Sequence, residues 1–130
     1  MEKRILIVDD SMFVTNMVTK ILEGHGYKVM AMQSPFGIIK AVREFRPGLV
    51  LMDYNIPGLK GDHIVEILQK KDLDADHGTV FYSASEDRIM AEVVKKTGAL
   101  GFIRKDTQPE GLVSEVERFW KMYEEKSLAA

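Results

Sequence analysis

The stretch Ile5-Leu6-Ile7-Val8-Asp9-Asp10-Ser11 decides the fold. Four apolar residues follow one another with no alternation between an inner and an outer face. A strand with one face in water alternates apolar and polar residues, whereas an unbroken apolar run is a strand buried on both faces, as in a helix-covered parallel sheet. The run then stops at two carboxylates and a hydroxyl. The same design recurs at Leu49-Val50-Leu51-Met52 followed by Asp53, and at Val80-Phe81-Tyr82 followed by Ser83. Two weaker runs, Tyr27 to Met32 and Leu100 to Ile103, bring the expected strands to five.

Between these runs, apolar residues recur at helical spacing. Phe13, Met17, Val18, Ile21 and Leu22 form one stripe, ended by Gly24 and Gly26; Ile38, Ile39 and Val42 form a second after Pro35. Ile64, Ile67 and Leu68 form a third. Ile89, Met90, Val93 and Val94 form a fourth, stopped near Gly98. Leu112, Val113, Val116, Phe119, Trp120 and Tyr123 form the fifth. All five are read as core-facing stripes. Strict alternation of strand and helix predicts right-handed crossovers and a single α/β domain. There is no internal repeat, low-complexity segment or linker. The domain is expected over residues 1–126, with 127–130 as a tail and fraying from Glu124 onward.

Composition narrows the function classes. The chain has 130 residues, 45% hydrophobic and 29% charged, enough for one core without a metal or disulfide. It has no cysteine, which removes thiol nucleophiles, zinc–thiolate clusters and disulfides together. A net charge of -2 argues against a nucleic-acid footprint. No apolar run approaches the ~20 residues of a membrane span, and the start of the chain lacks the features of a signal peptide, so a cytoplasmic location is expected.

In an open α/β sheet, ligands bind beyond the carboxyl ends of the strands. Asp9, Asp10, Asp53, Ser83 and Lys105 are all expected at that edge. Each has an ordinary explanation taken alone. Asp10 or Ser11 can cap the first helix, Asp53 can serve a turn, Ser83 can cap the fourth helix, and Lys105 can be a solvated lysine. Together the explanations fail if the first and third strands are neighbours, since carboxylates ~4 Å apart repel by roughly 4 kcal/mol at an effective dielectric of ~20. Such a cluster calls for a shared cation or proton, and an all-oxygen site suits Mg²⁺ better than zinc. Carboxylate, metal, lysine and hydroxyl together point to phosphoryl chemistry, with an aspartate as nucleophile.

Those residues resemble the receiver domain of bacterial two-component response regulators. The resemblance runs from Ile5 to about Tyr123 and rests on Ile7-Val8-Asp9-Asp10-Ser11, on Asp53-Tyr54-Asn55-Ile56-Pro57-Gly58-Leu59-Lys60-Gly61, on Ser83-Ala84, and on Gly98-Ala99-Leu100-Gly101-Phe102-Ile103-Arg104-Lys105. It implies a flavodoxin-like, doubly wound sheet of order 2-1-3-4-5 flanked by five helices. It implies Asp53 as phosphoacceptor and Mg²⁺ held by Asp10, Asp9, Asp53 and the backbone carbonyl of Asn55. Lys105 would pair with the phosphoryl group, Ser83 would be the switch hydroxyl and Phe102 the aromatic switch. The donor would be a sensor histidine kinase or phosphotransfer protein. The output would be a protein target docking on the face of the fourth helix, fifth strand and fifth helix, where Met90, Val94 and Lys95 are candidates, core packing being the stronger reading for the first two. The family usually has proline after the lysine, where this chain has Asp106, and often tyrosine where this chain has Phe102. Asn55 and Ser85 occupy its variable positions.

Competing readings fare less well. Asp72, Asp74 and Asp76 imitate the start of a calcium loop, but His77 stands where that loop needs glycine and Ser83 where it needs glutamate. His25, His63 and His77 show no metal spacing and are expected at the surface. A phosphatase would need a further acid/base and a capping insertion. A phosphorylation-independent interaction module would be expected to lose the acidic pair or the lysine, and both are present.

Overall fold

A computed structural model describes residues 2–56, 59–70 and 77–129. Five parallel strands form the sheet: β1 (Lys3–Val8), β2 (Tyr27–Met32), β3 (Leu49–Asp53), β6 (Gly78–Ser83) and β7 (Gly101–Arg104). Their order is β2-β1-β3-β6-β7, so the expected order 2-1-3-4-5 is the observed one. The two remaining strands, β4 (Asn55–Ile56) and β5 (Leu59–Lys60), pair antiparallel as a small separate ribbon that periodicity did not reveal. The helices are α1 (Met12–Glu23), α2 (Ile38–Phe45), α3 (Gly61–Lys70), α4 (Asp87–Thr97) and α5 (Pro109–Ala129).

The unbroken apolar strands are buried on both faces for the reason their sequence implied. Side chains alternate across a strand, so Ile5 and Ile7 join the layer that contains α1 and α5, while Leu6 and Val8 join the layer of α2, α3 and α4. Leu49 and Leu51 divide from Val50 and Met52 in the same way. Five-stranded parallel pairing needs this double cover, because a helix must return each chain segment to the starting edge.

Four expectations change. Phe13 is 78% exposed although it begins the first stripe, because the face of α1 that packs on the core runs through Val14, Thr15, Val18 and Leu22, and Phe13 lies off it. Ile67 and Ile89 lie on the flanks of their stripes and are also exposed. His25 and His63 are at the surface, but His77 is buried, since it enters the sheet layer directly ahead of β6, every residue of which is buried. Residues 124–129 continue α5 rather than fraying; glutamate, lysine, leucine and alanine are good helix formers, and no glycine or proline interrupts them. Asp72, Asp74 and Asp76 lie outside the described residues, as do Pro57 and Gly58.

Candidate functional site

Two neighbouring strand ends, those of β1 and β3, bring the acidic groups together. Asp53 is the last residue of β3, in register with Tyr82 of β6, and is only 3% exposed. Its Oδ1 accepts a hydrogen bond from the Asn55 amide at 3.0 Å, which turns the chain immediately after the strand. Asp9 follows β1, and its amide donates to the Met32 carbonyl at 3.0 Å, extending the β1–β2 ladder by one step. Its Oδ1 accepts from the Ser11 amide at 2.9 Å. Ser11 in turn caps α1, accepting from the Val14 amide at 3.2 Å. Asp10, between them, is exposed. Asp9, Asp10 and Asp53 each offer a carboxylate oxygen within 4.8 Å of the others.

Lys105 closes the site from the far side. Its amide donates to the Ser83 carbonyl at 3.0 Å, so the β6–β7 ladder aims it. The ammonium Nζ lies 2.7 Å from Asp9 Oδ2 and 3.4 Å from Asp53 Oδ1. It also sits 5.8 Å from the centre of the Tyr82 ring. Ser83 is buried, and its Oγ accepts from the Ser85 amide at 3.0 Å rather than capping α4. Phe102, half-buried, packs on the layer of α2, α3 and α4. Met90 is fully buried in the same layer, in line with its core-packing reading, whereas Lys95 is exposed.

Electrostatics follow from burial and these partners. Burial pushes the Asp53 carboxyl above its ordinary value of 3.8. The Asn55 amide works against that rise, the Asp9 charge adds to it, and Lys105 opposes it. For Lys105, burial disfavours the ammonium, but the contact with Asp9 and the charge of Asp53 outweigh it and raise the lysine above its usual range. The site therefore holds three carboxylates against one ammonium, with oxygen donors only. Such a donor set suits a hard divalent cation.

Several contributors carried no signal in the sequence. Asn55 Nδ2 donates to Ser85 Oγ at 2.9 Å, and Lys60 Nζ donates to Asn55 Oδ1 at 3.2 Å, which links the β4–β5 ribbon to the loop after β6. Arg104 Nε and Nη2 each donate to an Asp106 oxygen at 3.0 Å, and Nη1 donates to Asp87 Oδ1 at 3.0 Å. This fork lowers the Asp106 carboxyl below its ordinary range and raises the guanidinium above its own. Arg104 ends β7 and Asp106 lies in the turn that follows, closed by the Thr107 amide donating to the Arg104 carbonyl at 3.1 Å, but nothing local announces Asp87.

Buried carboxylates at the ends of β1 and β3, with a lysine after β7 reaching both, agree with sequence comparison: the response regulator receiver domain profile matches residues 5–117. The chain belongs to that family. It is a receiver domain of two-component signalling. The DNA-binding response regulator MtrA of Mycobacterium tuberculosis is 34% identical over 118 residues, covering 89% of this chain and 50% of that protein. The phosphate regulon transcriptional regulatory protein PhoB of Klebsiella pneumoniae is 28% identical over 120 residues, covering 90% and 51%. The receiver thus spans about half the length of the curated relatives it matches. Among solved structures, a CheY-like receiver domain from Methanospirillum hungatei superposes with a TM-score of 0.84 at 22% identity, covering 97% of this chain and 99% of that one. The chemotaxis response regulator CheY4 of Vibrio cholerae gives 0.82 at 22% identity, covering 91% and 98%. These two show the shared fold. Among the described residues, no helix is long and apolar enough to cross a membrane.

Proposed function

We propose that residues 1–126 form a phosphorylation switch in which Asp53 accepts a phosphoryl group from a phosphohistidine of a sensor kinase or phosphotransfer protein. One observation carries this reading: a buried Asp53 carboxylate 3.4 Å from an ammonium, with two further carboxylates within 4.8 Å. Asp9, Asp10, Asp53 and the backbone carbonyl of Asn55 would hold Mg²⁺, whose charge would offset that of the phosphoryl oxygens.

The chain's own residues do the rest. Asp53 Oδ1 is engaged by the Asn55 amide and faces Lys105, so Oδ2 attacks phosphorus. A P–O bond to Asp53 forms as the P–N bond to the donor imidazole breaks, and the imidazole leaves with the electron pair and takes a proton from solvent. Lys105 then pairs with a phosphoryl oxygen. The catalysis is positioning and charge compensation, with no separate acid or base. The Ser83 hydroxyl leaves the Ser85 amide for a phosphoryl oxygen, and Phe102 moves into the vacated space. Because the Ser83 carbonyl holds the Lys105 amide, the shift reaches the face of α4, β7 and α5, where a protein target binds. Couplings of this kind amount to ~1–3 kcal/mol, a change of population within one fold.

The experiment is incubation with Mg²⁺ and acetyl phosphate, followed by intact mass measurement. The expected result is a gain of one phosphoryl group that Asp53→Asn abolishes and chelation of Mg²⁺ prevents. Wild-type protein that stays unlabelled while a control receiver is modified would leave a phosphorylation-independent interaction module in its place.

A further inference from the structure

A cavity of about 100 Å³ opens beside Lys105, lined by Ser83, Ala84, Ser85, Arg104, Lys105 and Asp106. Lys105 and Ser83, which would meet an incoming phosphoryl donor, both line it, so the charges on this wall act on a doubly charged anion beside them. One residue on it has the wrong charge: Asp106, directly after Lys105. Arg104 occupies both oxygens of that carboxylate in a fork, at 3.0 Å each. Its third nitrogen reaches Asp87, the first residue of α4, at 3.0 Å. Bidentate pairing of this kind fixes orientation as well as charge.

We propose that Arg104 is a positioning residue for phosphoryl acceptance: it neutralises Asp106 at the mouth of the site and ties the loop that carries Lys105 to the start of α4. This rests on the reading of Asp53 as phosphoacceptor. The pairs are exposed, with the Arg104 side chain at 55% and those of Asp87 and Asp106 at 59% and 70%. As an anchor of the fold the fork therefore contributes little. Its effect falls on a charged reactant a short distance away, and salt screens that effect. Removing Arg104 exposes a dianion held near Lys105 to an uncompensated carboxylate on the same wall.

The test measures the rate of phosphoryl incorporation from acetyl phosphate with Mg²⁺, by intact mass, at low and high ionic strength. Arg104→Ala should be slower by roughly 3–10-fold at low salt and approach wild type as the Debye length falls to ~3 Å near 1 M. Asp106→Asn placed in the Arg104→Ala background should restore the rate, because the repelling charge is gone. A merely structural role for Arg104 predicts no such rescue and no salt dependence. Unlabelled wild type removes the phosphoacceptor reading and this inference with it. Labelled wild type with an equally fast Arg104→Ala, or a slow Arg104→Ala that Asp106→Asn leaves slow, overturns this inference alone. Matching far-UV circular dichroism of all three proteins excludes unfolding as the cause.

Discussion

Replacing Asp53 by asparagine should make the metal-free protein more stable. The side chain keeps its shape and an oxygen for the Asn55 amide, so the change is one of charge. At an effective dielectric of ~20, Asp9 at up to 4.8 Å repels Asp53 by about 3.5 kcal/mol or more, while Lys105 at 3.4 Å attracts it by about 5 kcal/mol. Asp10 is exposed, and solvent screens its share to about 1 kcal/mol. Attraction and repulsion nearly cancel, and burial decides the sign. A buried ion costs several kcal/mol, of which a site open on one side keeps a part, so Asp53→Asn should gain about 1–2 kcal/mol. For 130 residues that is roughly 4–8 °C in Tm. The pH dependence has a definite sign. The folded-state pKa of Asp53 is raised, so its contribution to stability is full below its ordinary value of 3.8 and is lost as pH rises through the raised folded value. The advantage of the asparagine should therefore be present at pH 7 and vanish toward pH 3.5. Thermal unfolding by circular dichroism in chelator, at both pH values, measures it. An Asp53→Asn protein that melts at or below the wild-type temperature at pH 7 would refute the electrostatic account of the site.

Three further outcomes are expected. Lys105→Met leaves Asp9 and Asp53 facing each other without their shared ammonium, and should cost about 2 kcal/mol in chelator, with Mg²⁺ recovering more stability than in wild type; differential scanning calorimetry reads both. Gly101→Ala places a Cβ 2.5 Å from the Phe119 ring, a contact that a packed core cannot absorb, and should cost about 1–3 kcal/mol in urea unfolding. Burial raises the phenols of Tyr27 and Tyr82 above 10.0, so their stabilisation is complete below that pH and is lost as pH rises through the folded values. In a titration followed at 295 nm both should ionise above the ordinary phenol value of 10.0 and together with alkaline unfolding.

Most of the fold was legible because its signals are local. Ile5 to Val8 and Leu49 to Met52 show by their lack of alternation that both faces are covered, and the observed strands match those runs to within a residue or two. The stripe of α5 from Leu112 to Trp120 is the buried face of that helix. Where a stripe was drawn too wide, it misled: Phe13 keeps helical spacing but lies off the face of Val14, Val18 and Leu22 that meets the core. The β4–β5 ribbon is two residues a side, too short for any period to register.

The candidate site divides along the same line. By itself the sequence determined that Asp9, Asp53 and Ser83 each end a buried strand and that Lys105 follows one, since strand ends can be read from where an apolar run stops. Only the tertiary structure decided the pairings. The strand order sets β1 beside β3, which puts Asp9 and Asp53 within reach of one ammonium, and Lys105 lies closer to Asp9 than to Asp53. The same register places Arg104 between Asp106, two residues away, and Asp87, seventeen residues away on another element. Periodicity is a property of neighbours along the chain, whereas charge compensation is a property of neighbours in space.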